Sequence, residues 1–200
     1  MSGTGRGADT GTGTDAGRAL RADARRNRAR ILEVAVEAFA TEGLSVPVQE
    51  IARRAGVGTG TVSRHFPAKE SLFEAILLIK ARQLIDEAVR LASSAGPGDA
   101  FFAFFARIVT EGAENRGMAE ALTGAGFDFD AAALREGLDV MGTLGDLLAR
   151  AQEAGAVPGD VDTADVKALI TGCLARMSGT ADPAARDRII RIACRGLRAG

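Results

Sequence analysis

From Ala24 to the C-terminus, apolar residues recur at intervals of three and four, and no stretch of the 200-residue chain alternates convincingly with period two. That spacing lines one face of an α-helix, whereas a half-buried strand needs alternation, so the expected fold class is all-α with about nine helices and no internal repeat. Glycine and proline divide the pattern into elements. Ile31, Leu32, Ala35 and Phe39 form one stripe, which Gly43 should end. Val48, Ile51, Ala52 and Ala55 form a compact second helix stopped by Gly56. Thr59 to His65 forms a third, with Val62 and Phe66 turned inward and Pro67 as its terminator. A long fourth helix runs through Leu77, Ala81, Leu84, Ala88 and Leu91. Asp99 is a candidate N-cap ahead of Phe101, Phe102, Phe104 and Phe105. Asn115 to Phe129 reads as a looser stretch, and one helix is expected from about Asp130 to Ala154. The two final helices are the best marked: an Asp162–Asp165 capping box precedes a stripe from Val166 to Met177, and Asp182-Pro183 precedes one from Ile189 to Leu197.

Residues 1–17 hold six Gly and four Thr without apolar periodicity, so a disordered N-terminal arm is expected over residues 1–23. Net charge is −1, yet residues 1–80 carry 12 Lys and Arg against 9 Asp and Glu, and residues 81–200 carry 13 against 17. This modest polarity favours nucleic-acid contact at the N-terminal end. Cys173 and Cys194 lack metal-ligand spacing and read as buried cytosolic thiols rather than a disulfide framework. The apolar run from Ala75 to Ile79 is too short to span a bilayer, and the first residues lack the apolar core of a signal peptide. A cytoplasmic protein with no membrane contact is expected.

Two short helices joined by a tight glycine turn, braced by a longer preceding helix, are the ingredients of a helix-turn-helix over Val48–His65. The second short helix presents Thr59, Gly60, Thr61, Ser63, Arg64 and His65, small or polar residues suited to close approach in a major groove about 12 Å wide. Lys69 opens the fourth helix, where its charge, the free backbone N–H groups and the helix dipole converge on one phosphate. Arg18, Arg21, Arg25, Arg26, Arg28 and Arg30 are opposed only by Asp23. They form either a solvated face or an arm reaching the groove or backbone. The glycine run from Gly56 to Gly60 follows a helical pattern rather than a strand and carries no Gly-Lys-Ser/Thr, so it is not a phosphate cradle.

The segments Phe39-Ala40-Thr41-Glu42-Gly43-Leu44, Val48 to Val57, and Gly58-Thr59-Gly60-Thr61-Val62-Ser63-Arg64-His65-Phe66-Pro67-Ala68-Lys69-Glu70-Ser71-Leu72 closely resemble the DNA-binding domain of the tetracycline-repressor (TetR) family. The resemblance covers Arg28–Phe73 without interruption, roughly a quarter of the chain. It implies a helix-turn-helix domain over residues 24–72 and a helical effector-binding and dimerisation domain over 73–200. It implies phosphate roles for His65 and Lys69, and base-edge or nearby contacts for Gln49, Thr59, Gly60 and Thr61; Arg28, Ser63 and Arg64 are also expected to contact DNA. Ser63 departs from the family, which usually has an aromatic residue there, so affinity or operator preference is expected to differ. The family further implies a repressor that binds double-stranded operator DNA as a homodimer through its two C-terminal helices and is released by a small-molecule effector. The alternative is a regulator without an effector, controlled by a protein partner.

The phenylalanines of residues 101–105, with Phe127, Phe129 and Met141, serve either as core or as the lining of a ligand pocket. On the second reading Phe104, Arg107, Ile108, Phe127 and Met141 line it, with Arg107, Thr110 and Asn115 as polar anchors. The absence of Tyr and Trp suits a small apolar effector. Asp128, Asp130, Glu136 and Asp139 read as a solvated face. A single histidine leaves no metal constellation and no nucleophile–base pair, so neither an enzyme nor a cofactor is expected.

Overall fold

The computed structural model describes residues 12–177 and 182–199, with side chains from residue 17 onward; among them are ten α-helices and no strand. They divide into two compact units, residues 1–72 and 73–200.

The first unit contains α1 (Thr12–Glu42), α2 (Val48–Ala55) and α3 (Thr59–His65), and ends within α4 (Lys69–Ser94). Its core joins Ile31, Leu32, Ala35 and Phe39 of α1 to Ile51, Ala52 and Ala55 of α2, with Val62, Phe66 and Leu72 also buried. The turn between α2 and α3 is a Schellman motif. Gly56 stands at φ +67°, its N–H donates to the Arg53 carbonyl at 3.2 Å, and the Val57 N–H donates to the Ala52 carbonyl at 3.1 Å. These bonds satisfy carbonyls at the end of α2 and set the angle at which α3 departs.

α1 begins at Thr12, so residues 12–23 of the expected arm are helical, while residues 1–11 lie outside the described residues. The missing apolar periodicity correctly foretold little burial, and Leu20 is 69% exposed. However, Ala, Leu and Arg between Ala16 and Arg26 are good helix formers, and extending an anchored helix needs no new nucleus. Arg21 donates to the Gly17 carbonyl at 3.1 Å, and Arg26 pairs with Asp23.

The second unit holds the rest of α4 with α5 (Pro97–Glu114), α6 (Arg116–Gly124), α7 (Phe129–Arg135), α8 (Val140–Glu153), α9 (Thr163–Arg176) and α10 (Pro183–Gly196). α5 is central, packed on α6, α8, α9 and α10, with Phe101, Phe104 and Phe105 fully buried. It starts one turn earlier than Asp99 suggested, with Gly96 as N-cap and Pro97 in its first turn. The looser stretch contains α6. The single helix expected from Asp130 to Ala154 is two, α7 and α8, because Gly137 at φ +72° breaks the backbone between them. Asp128 and Asp139, expected on a solvated face, are the N-caps of these helices and accept from the Ala131 and Gly142 N–H groups at 2.9 and 2.7 Å. The Asp162–Asp165 capping box is present, and Asp182 caps α10 ahead of Pro183.

The resemblance implies dimerisation through the two C-terminal helices, but the apolar stripes that mark those helices in the sequence face inward. Val166, Ile170, Cys173 and Met177 of the α9 segment, with Ala193 and Leu197 of the α10 segment, are buried in this chain's own core. Periodicity shows that a helix has an apolar face, not which helix covers it. Burial pushes the thiols of Cys173 and Cys194 above their usual range, which keeps both protonated.

The turn at Gly56 is directly testable. Gly56→Ala should destabilise the protein by about 1–2 kcal/mol, the cost of a left-handed conformation for a residue with a Cβ. Gly60 lies inside α3 with open space around an added Cβ, so Gly60→Ala should instead stabilise by about 0.5–1 kcal/mol. Urea unfolding followed by helical circular dichroism checks both signs.

Candidate nucleic-acid interface

α3 divides its residues cleanly. Val62 and the following Phe66 are buried at 0% and 3% exposure, whereas Thr59, Gly60, Ser63 and Arg64 are exposed and Thr61 and His65 half-buried. Gln49, in the first turn of α2, is exposed. The small side chains leave the backbone of α3 open, with nothing within 4 Å of a Cβ built on Gly58 or Gly60.

Three of the sequence-predicted basic residues are placed by aromatic core residues. The Arg28 guanidinium lies 5.2 Å from the Phe66 ring centre, and the His65 ring lies 6.3 Å from the same ring. The Lys69 ammonium lies 5.5 Å from the Phe39 ring centre. Cation–π contacts of this kind are worth roughly 0.5–1 kcal/mol at exposed sites and leave the charge in place. Among the described residues, Arg28, Arg64 and Lys69 have no carboxylate partner, so their charges are not cancelled locally.

Arg53 and Arg54 differ. Glu50 accepts from Arg53 Nε at 2.8 Å and Arg54 Nε at 2.7 Å, and Arg54 also pairs with Glu42. These hydrogen bonds hold the Glu50 carboxyl down at about 2 and draw Glu42 below its usual range. The Glu50 spacings of three and four are legible in sequence; the Glu42–Arg54 pair joins α1 to α2 and is not. Arg30, grouped with the arm, donates to the Ala55 carbonyl at 2.8 Å and so caps the end of α2.

The second unit holds a cavity of about 210 Å³ beside α4, walled by Leu77, Ala81, Leu84, Ile108, Phe129 and Val140. Its polar lining is Lys80, Glu111 and Asn115. Glu111, 5% exposed, is the one buried charged residue among those described. It pairs with Arg107, accepts from Asn115 Nδ2 at 2.9 Å, and lies 3.7 Å from Lys80 Nζ. Of the expected pocket residues, Ile108 and Phe129 line the cavity, as does the expected anchor Asn115, whereas Thr110 does not. Phe104 is instead core at 0% exposure, and Arg107 reaches the cavity only through Glu111. Phe127 and Met141 are half-buried elsewhere. A second cavity, of about 240 Å³, lies beside an ion pair of Glu114 with Arg186 at 3.2 Å. Among the described residues there is no cluster of three or more His, Cys, Asp or Glu able to hold a metal ion. No helix there is long and apolar enough to cross a membrane.

Residues 31–76 match the model for bacterial regulatory proteins of the tetR family. Residues 96–199, just over half of the chain, match that for the C-terminal domain of SbtR-like transcriptional regulators. The chain belongs to the TetR family. This TetR-family regulator is 46% identical to a TetR transcription regulatory protein from Mycobacterium vanbaalenii of known crystal structure, over 90% of this chain and 99% of that one, with a TM-score of 0.67. It is 30% identical to a TetR transcriptional regulator from Streptomyces coelicolor, over 86% of this chain and 98% of that one, with a TM-score of 0.68. An HTH-type transcriptional regulator of Staphylococcus aureus is 43% identical over 54 residues, which span 26% of this chain and 29% of that protein. The TetR-family head is thus a DNA-binding helix-turn-helix.

The Glu50 network has a pH signature. A depressed carboxyl stabilises the fold above its ordinary value of 4.5, and that contribution is lost as pH falls toward about 2. Acid unfolding of the first unit should therefore steepen below about pH 4.5, and Glu50→Gln should flatten it. An unchanged profile in the variant would show that the network does not stabilise the head.

Proposed function

We propose that this regulator binds a palindromic operator as a homodimer in the cytoplasm, represses transcription from it, and is released by a small effector held in the cavity beside α4. The observation that carries the DNA half is the exposed, small-residue face of α3, flanked by cations without carboxylate partners. Gln49, Thr59, Gly60 and Thr61 meet base edges, while Arg28, Arg64, His65 and Lys69 hold phosphates. Ser63 offers a short hydroxyl where the resemblance leads one to expect an aromatic, so it narrows the contact to a single polar group. Arg18, Arg21, Arg25 and Arg28 follow one another at helical spacing along α1 and extend the basic surface beyond the head.

Dimerisation uses the faces of α9 and α10 that the core leaves uncovered. Leu169 and Ile192 are 38% and 57% exposed there, and exposed Ala168, Gly172 and Ala175 permit close helix approach. The two recognition helices then enter successive major grooves about 34–36 Å apart. The cavity touches α4 at Leu77, Lys80, Ala81 and Leu84, and the same helix begins in the first unit at Lys69. An effector there acts by binding one α4 arrangement better than another, which shifts populations rather than forcing a shape.

Gel shifts on DNA upstream of the protein's own gene test the DNA half. Thr61→Ala should weaken the cognate site by about 1–3 kcal/mol and relax its sequence preference, while Lys69→Ala should weaken all sequences and lower the salt slope by about 1. Arg53→Ala, at a residue already paired with Glu50, should change affinity least. Unchanged binding in both Thr61→Ala and Lys69→Ala would contradict this placement of the DNA surface.

A further inference from the structure

We propose that the cavity beside α4 takes a small amphipathic monoanion, a carboxylic acid with a compact apolar body, whose carboxylate is received by Lys80. This rests on the reading of that cavity as the effector site and names its ligand class.

The charge arrangement decides the sign. Glu111 is buried, but its carboxylate is already served by Arg107 and by Asn115 Nδ2 at 2.9 Å. The Lys80 ammonium stands 3.7 Å from Glu111 Oε2, close enough for Coulomb attraction and too far for a hydrogen bond. Its three N–H donors therefore gain no hydrogen bond from Glu111. The lining itself carries one charge of each sign, Lys80 and Glu111, and Arg107 behind Glu111 brings the three-residue cluster to one net positive charge; the lining from α6, α7 and α8, namely Ala119, Phe129 and Val140, carries none.

A cationic ligand would have to share Glu111 with Arg107 and Asn115 and sit beside Lys80, in a site where like charges repel more strongly than in water. A neutral apolar ligand would shield the Lys80 donors from water without replacing the lost hydrogen bonds. An anion instead gives the Lys80 ammonium a hydrogen-bond acceptor and neutralises the cluster. The remaining wall is aliphatic and aromatic, so the rest of the ligand is apolar. At about 210 Å³ the cavity falls below the roughly 300–1,000 Å³ that hold drug-sized molecules, so the body is compact.

Calorimetric titration of the full-length protein with hexanoate, hexylammonium and 1-hexanol, which share one body and differ in head charge, tests this. Hexanoate should bind tightest of the three. Lys80→Met should weaken it by at least about tenfold, the loss of a charge-assisted bond. Glu111→Gln, which removes the opposing negative charge while leaving groups for Arg107 and Asn115 to bond, should keep or tighten hexanoate binding. Circular dichroism and urea midpoints establish that each variant is folded, and Lys80 has 27% of its side chain exposed, so its replacement leaves no large void. Equal or tighter binding of hexylammonium or hexanol, hexanoate binding untouched by Lys80→Met, or no binding of any probe at about 10 mM would overturn the inference. The two readings fail separately. Hexylammonium that binds and loosens operator DNA sinks the charge assignment and leaves the effector role standing. Hexanoate that binds through Lys80 without altering operator affinity does the reverse.

Discussion

A helix of seven residues has no stability of its own in water, because nucleation costs more than its few hydrogen bonds return. α3 exists because Val62 and the following Phe66 are buried in the core that α1 and α2 provide. Everything exposed on α3 inherits its position from those two side chains and from the Schellman turn at Gly56. The same core also places charge: Phe66 lies under Arg28 and beside His65, and Phe39 lies under Lys69. Packing and charge placement in the head are one set of contacts, so a core substitution at Phe66 perturbs both. The Glu42–Arg54–Glu50–Arg53 network removes other cations from play, whereas among the described residues Arg64, Lys69 and Arg28 have no carboxylate partner.

The second unit follows a different rule. α5 is lined with phenylalanine and buried among its neighbours, and that dense packing makes the space beside α4 a distinct feature. A buried carboxylate in such a place costs free energy unless it is paired and hydrogen-bonded. Glu111 meets both conditions through Arg107 and Asn115, with Lys80 held loosely at its edge. A site that is satisfied at its carboxylate and open at its ammonium is biased toward one sign of ligand.

The helix-turn-helix was legible in the sequence because its signals are local. Gly43, Gly56 and Pro67 stop helices for reasons of backbone geometry, and the stripes on α1 and α2 are complete within each element. The caps at Asp162 and Asp182 were legible for the same reason. What failed was non-local or depended on small energies. The break at Gly137 separates two helices whose apolar residues happen to continue one another's period. The helical stretch from Ala16 to Arg26 reflects the propensity of its Ala, Leu and Arg residues rather than burial, which apolar periodicity does not reveal. The stripes of α9 and α10 turned out to be covered from within the chain, since an apolar face does not name its partner. Pocket residues were the least legible of all. A cavity is a gap between helices distant in sequence, so Ile108, Phe129 and Asn115 line it while Phe104 is core, and Lys80 was not singled out.

The central claim is that the polar face of α3 reads operator DNA from a twofold-symmetric protein. The most direct test is to recover the DNA that this protein enriches from its own genome. The account predicts a short palindrome whose half-site centres lie about one helical turn, roughly 34–36 Å, or somewhat more apart, with protection lost when Thr61 and Lys69 are replaced together. Enrichment without a palindrome, or a palindrome still bound by that double variant, would contradict it.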